Sequence, residues 1–124
     1  MSERLAITQL LQDYFDGLYH CDVERLAQVF HPAAVYACAT EGPLRLLAMT
    51  EYFAIVRQRT SPASLAQRRT DRIVSIDVAG PVTAMAKVEC SIEPKHFTDF
   101  LSLVKLGGRW QILAKVFHFE VLPP

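Results

Sequence analysis

The chain has 124 residues, 51% of them hydrophobic, and its thirteen basic and thirteen acidic side chains leave no formal net charge. That length bounds one domain with a single core, and the charge balance provides no electrostatic footprint for nucleic acid or an anionic membrane surface. Three cysteines, Cys21, Cys38 and Cys90, form neither an even disulfide set nor a metal-ligand spacing, so reduced thiols in a cytoplasmic protein are expected, with no signal peptide or membrane span.

In chain order, Ser2 can cap a first helix whose apolar positions Leu5, Ile7, Leu10, Leu11, Tyr14, Phe15, Leu18 and Tyr19 recur every three or four residues as far as about His20, with Gly17 as its weak point. Asp22 caps a second helix, Val23 to about Phe30, which His31-Pro32 ends. Residues Ala33 to Thr40 suit a strand and Glu41-Gly42-Pro43 a turn, after which a third helix is expected over Leu47 to Arg59 with Tyr52, Phe53, Ile55 and Val56 inward.

From Asp71 the pattern changes to period two. Strands are expected over Arg72 to Val78 and Val82 to Ile92, the second with Ala84, Ala86, Val88, Cys90 and Ile92 facing the core. Val74, Ile76 and Arg72 are expected on the core face of the first. A long hairpin from Phe97 to Val121 then turns at Gly107-Gly108, because Gly-Gly supplies the positive φ of a two-residue turn. Counting outward from that turn pairs Leu103 with Ile112, Leu101 with Ala114, Asp99 with Val116 and Phe97 with His118 on one surface. A four-residue loop at Glu93 to His96 would set Ile92 beside Phe97 and Cys90 beside Asp99. The opposite surface would carry Phe100, Val104, Leu113 and Phe117 among polar groups, a mixed patch that a twofold homodimer would bury. The layout is α+β: three N-terminal helices on one face of a curved, mainly antiparallel sheet enclosing a pocket.

These residues resemble the nuclear transport factor 2-like superfamily, and within it the bacterial branch labelled lumazine-binding. The resemblance rests on DYFDGLYHCDVERLAQVFHPAA, GPLRLLAMTEYF and FTDFLSLVKLGGRWQILAKVFHFE and covers nearly the whole chain. It implies a cone-shaped fold around a cavity, usually dimerised through the outer sheet face. It also implies no single activity, since relatives include ketosteroid isomerases, dehydratases, polyketide cyclases and transport adaptors.

The candidate chemistry centres on Asp99. A carboxylate on the core face of a central strand must be paired, protonated or wetted, so it is either a general acid or base or a structural group bonded to a tyrosine, the backbone or His118. His118, one diagonal step away, offers an Asp-His pair or a satisfied core histidine. Tyr14, on the buried stripe of the first helix, could donate to a ligand carbonyl or simply pack with its hydroxyl bonded. Tyr36, Phe53, Cys90, Phe97, Trp110, Val116 and Arg72 complete the expected pocket lining. Arg68, Arg69 and Arg72 offer an anion clamp or a solvated run. The four histidines lack metal spacing, no phosphate loop is present, and no cofactor is expected. The expected function is small-molecule binding in a mostly apolar pocket. One alternative is a cofactor-independent lyase or isomerase using Asp99 with His118 or Tyr14; the other is an interaction module using the outer face.

Overall fold

Helix α1 runs from Glu3 to His20 in a computed structural model that describes residues 2–124. The Ser2 hydroxyl accepts from the backbone N–H of Leu5 and caps it. Asp22 caps α2, Val23–Val29, through the N–H of Arg25. Gly17 does not interrupt α1; it lets α2 approach, since a Cβ there would lie 2.6 Å from Leu26 Cδ2.

Strand β1, Phe30–Cys38, begins three residues earlier than the sequence suggests and takes in His31-Pro32. Residues 45–48 correct the sequence reading. Arg45–Ala48 is a strand, β2, antiparallel to β1, and helix α3 starts only at Met49 and ends at Gln58. Helical periodicity could not find β2, because its Leu46 and Leu47 suit either element. The Ala48 N–H donating to Glu51 Oε1 marks where the chain changes from strand to helix.

Strands β3 (Arg72–Ala79), β4 (Thr83–Ile92), β5 (Lys95–Leu106) and β6 (Arg109–Val121) form the antiparallel meander. The sheet order is β2-β1-β6-β5-β4-β3, with β1 parallel to β6, and the three helices cover one face of this open, curved sheet. Tyr14, Leu11, Leu26, Phe30, Tyr52, Val56, Val88, Leu101 and Ile112 are buried between them.

Two registers differ from the sequence expectation. Glu93-Pro94 alone connects β4 to β5, so Ile92 pairs with Lys95, Cys90 with Phe97 and Val88 with Asp99, two residues from the four-residue-loop alignment and therefore on the same faces. In β6, Leu103 pairs with Ile112 as counted, but Ser102 pairs with Ala114, leaving Leu113 as an extra residue. Beyond this bulge Leu101 faces Lys115, Asp99 faces Phe117 and Phe97 faces Phe119. The neighbouring β1 is irregular at the same level: its pairing with β6 jumps from Phe30↔Ile112 to Val35↔Ala114 across Pro32, which has no N–H to donate. One added residue moves every later side chain of β6 to the other face.

Candidate functional site

That bulge decides what β6 places under the helices. Val116 and His118, expected inside, lie on the exposed outer face, whereas Lys115 and Phe117 turn inward and are buried. The His118 ring is 2.8 Å from Thr40 Oγ1 through Nδ1 and 3.9 Å from Glu120 Oε1 through Nε2, so it makes no pair with Asp99. Arg72 is also outside the core. Its pairing with Glu89 sets it on the solvent face, where the two side chains form an ion pair at 3.0 Å, and a bulge between Ile73 and Ser75 leaves Val74 exposed.

Asp99 and Tyr14 do meet. The Tyr14 hydroxyl, from the buried face of α1, donates to Asp99 Oδ2 at 2.5 Å. Asp99 is 0% exposed, and its Oδ1 is buried with no hydrogen-bond partner among the described residues. Burial, reinforced by the charge of Asp99, holds the Tyr14 hydroxyl well above its ordinary pKa, so it remains a donor.

Lys115 is the group that sequence reasoning missed. It is 5% exposed, and its Nζ donates to the Tyr52 hydroxyl at 3.2 Å. Three further rings surround it, with centroids 5.2 Å (Tyr14), 5.8 Å (Tyr36) and 5.2 Å (Phe117) from Nζ. Burial opposes the ammonium charge, but Tyr52 and Asp99 outweigh it and raise the pKa above the usual lysine value. Lys115 and Asp99 are not within ion-pair distance of each other, so two opposite charges share the interior without touching. A lysine with this little access is uncommon unless it has a partner or a ligand. A signal for it was present: Phe117 and Phe119 alternate with His118 and Glu120, which makes the phenylalanines the inward set and Lys115 with them.

Lys115 lines an inner void of about 20 Å³ together with Leu18, Tyr36, Tyr52, Arg59, Cys90, Ile92, Phe97 and Phe117. That is room for about one water. The Cys90 thiol there is pushed up to about 12, chiefly by burial and secondarily by Asp99, and is no nucleophile at neutral pH. Tyr36, Arg59, Phe97 and Phe117 also line an outer chamber of about 100 Å³, which Cys38, Glu41, Arg45, Lys95 and Phe119 help to form. Of the residues named from the sequence, Tyr36 and Phe97 line both spaces and Cys90 the inner void. Phe53 packs instead against the rings of Phe30 and Tyr52, at 6.3 and 5.8 Å. Trp110 lies near the other end of the sheet, where its indole N–H donates to Glu3 Oε2 at 2.9 Å beside Lys105. Arg68 and Arg69 close nothing over this interior; Arg69 is bound to Asp16 and Asp71. Among the described residues no group of three or more acidic, histidine or cysteine side chains is placed to hold a metal, and no helix is long and apolar enough to cross a membrane.

Residues 2–118 match the protein family described as "Putative lumazine-binding". Among curated proteins, the chain is 27% identical over 119 residues to aldolase FrzH of Cladobotryum sp., covering 94% of this chain and 91% of that protein. Among solved structures it is similar to an NTF2-like protein of unknown function from Silicibacter pomeroyi DSS-3, with TM-score 0.86, 24% identity, and 97% and 100% of the two chains covered. A second, of the same description and from Methylobacillus flagellatus KT, gives TM-score 0.83 and 26% identity over 98% and 96% of the chains.

Proposed function

The chain belongs to the NTF2-like family described as "Putative lumazine-binding", and on that footing we propose that it binds a small carbonyl compound and activates it through Lys115 and Asp99. The observation that carries this reading is the pair of opposite charges buried in one interior but held apart, with a hydrogen-bonding atom of Asp99 left free. A purely structural core would be better served by apolar residues at both positions, because burying charges without direct contact is costly. Among the described residues Tyr52 is the only hydrogen-bond acceptor of the Lys115 ammonium, which leaves donors for a carbonyl oxygen.

In the catalytic form of this reading, the ligand displaces the side chains that keep Asp99 out of both cavities in the free chain, and Asp99 Oδ1 takes a proton from the carbon α to the carbonyl. The C–H electron pair becomes a C=C bond and the carbonyl π pair moves to oxygen, where the ammonium of Lys115 meets the developing charge. Returning the proton to a conjugated carbon or to the opposite face of the same one completes an isomerisation; attack of the enolate carbon on a second carbonyl, whose π pair becomes an alkoxide that takes the proton back from Asp99, completes an aldol addition. The likeness to an aldolase supports the class of chemistry but not its substrate. Tyr14 occupies the other oxygen of Asp99 and holds the carboxylate in place.

The test is exchange of α-protons for deuterium in D2O, followed by NMR over a panel of small ketones and oxo acids. The wild type is expected to accelerate exchange for at least one member, and Asp99→Asn to lose that acceleration. Equal rates for the two proteins would overturn the mechanism.

The same chain is proposed to form a homodimer through the outer sheet face. The bulge changes its membership: Phe117 is buried, and Val116 directly opposite Phe100 takes its place, near Met85 and Leu113. These side chains are exposed in the single chain. A monomeric mass by light scattering at micromolar concentration would count against it.

A further inference from the structure

We propose that the outer chamber is a carboxylate subsite, in which Arg45 and Arg59, with Lys95 across the opening, take the anionic end of a short oxo acid whose carbonyl reaches Lys115. This rests on the reading of Lys115 given above and names the substrate class for the same site.

Three cations and a single acid, Glu41, line the chamber. Among the described residues Arg45, Arg59 and Lys95 have no ion-pair partner, as is also true of Arg4, Arg57, Arg68, Arg109 and Lys87; what distinguishes the three is that they line one chamber. Their placement follows from three separate elements: Arg45 opens β2, Arg59 ends α3 and Lys95 opens β5. Arg59 lines both the chamber and the inner void, so its charge acts on both. Guanidinium groups match the planar, two-oxygen geometry of a carboxylate better than that of any neutral ligand group.

The dimensions bound the ligand. The Arg45 guanidinium carbon and Lys115 Nζ each lie 5.8 Å from the centroid of the Tyr36 ring, so they are at most about 12 Å apart. Allowing a hydrogen bond of about 3 Å at each end leaves roughly 6 Å or less for the ligand, the length of a chain of about five carbons. A chamber of about 100 Å³ and a void of about 20 Å³, which share Tyr36, Arg59, Phe97 and Phe117 in their walls, suit a molecule of that size. The Tyr36 ring would lie along the ligand's hydrocarbon segment, with Phe97 and Phe117 around it.

The experiment is a ligand-observed NMR titration of 4-oxopentanoate, whose carbonyl and carboxylate are separated by two methylenes, and of 2-pentanone, its uncharged counterpart, against the wild type and an Arg45→Gln/Arg59→Gln double variant. Both arginines are outside the apolar core, so the double variant is expected to melt like the wild type. The oxo acid should bind the wild type at least about ten-fold more tightly than the ketone, and the double variant should reduce that ratio to about two-fold or less. Equal binding of the two probes, an unchanged ratio in the double variant, or no binding of either would overturn the proposal. Acetate and inorganic phosphate are added as competitors; displacement by phosphate at lower concentration than by acetate would overturn the carboxylate assignment. α-Deuterium exchange is read in the same samples. Acid-dependent binding without exchange sinks the catalytic reading and leaves the subsite standing, whereas exchange without acid dependence does the reverse.

Discussion

Lys115 lies opposite Leu101 in the β5–β6 ladder, where an unbroken count from Gly107-Gly108 would put Ala114. This displacement by one residue brings an ammonium under the helices and turns His118 out to solvent. Both the composition of the interior and the outer face depend on it.

The bulge itself is testable by deletion. Removing Leu113 makes the ladder regular while leaving Ile112, Lys115 and Phe117 facing inward, so the variant should fold with a melting temperature within about 8 °C of the wild type. Removing Val116 keeps Lys115 inward but reverses Phe117 and Phe119, and should unfold the chain or lower its melting temperature far more. Similar melts for the two deletions would refute the register.

Asp99 and Lys115 are expected to be energetically coupled across the gap between them. Asp99→Asn and Lys115→Met each leave one charge buried without its counter-charge and should cost about 3 kcal/mol or more in urea denaturation. The double variant should lose less than the sum, with a coupling of about 1–3 kcal/mol. Additive losses would show that the two groups do not sense each other.

Alkaline pH should weaken the fold. Lys115 and Tyr14 both have folded-state pKa values raised above their unfolded values of 10.5 and 10.0. Their contribution is therefore complete below about pH 10 and is lost as pH rises beyond it, because the unfolded chain then releases protons that the folded one retains. Melting temperatures from pH 7 to 11 should be flat and then fall. Tyr14→Phe should flatten part of that fall, and at pH 7 should cost about 1–3 kcal/mol through loss of the donor to Asp99 Oδ2. An alkaline limb unchanged by Tyr14→Phe would mean that this hydroxyl is not the titrating group.

Thiol labelling should separate the cysteines. With its pKa near 12, Cys90 is thiolate in only about one molecule in ten thousand at pH 8, and it is also buried. Cys21 is only partly buried and should react first with a disulfide reagent, while Cys90 should react only on unfolding. Rapid labelling of Cys90 in the native protein would contradict its placement.

How much of this was legible in the sequence depends on the range of the interaction concerned. The spacing of Leu11, Tyr14 and Leu18 determined α1 and its buried face, Gly107-Gly108 the turn of the last hairpin, and the position of Asp99 on an inward face, because each is a local pattern of period 3.6 or 2 or a backbone requirement within a few residues. The resemblance carried in F-H-P and G-R-W-Q-I extended these patterns to the α+β fold with its curved sheet. Only the tertiary structure decided that Leu113 is an extra residue, since the irregular stretch of β1 around Pro32 that accompanies it lies some eighty positions earlier in the chain. It likewise placed Tyr14 against Asp99 and gathered Arg45, Arg59 and Lys95 around one opening, because helix-on-sheet packing sets those distances and no local pattern encodes them. Period-two alternation says which residues share a face only until a bulge intervenes. The groups that follow the bulge, Lys115 foremost, were therefore beyond a count outward from Gly107-Gly108, and only the alternation of Phe117 and Phe119 at the far end of the strand marked their face.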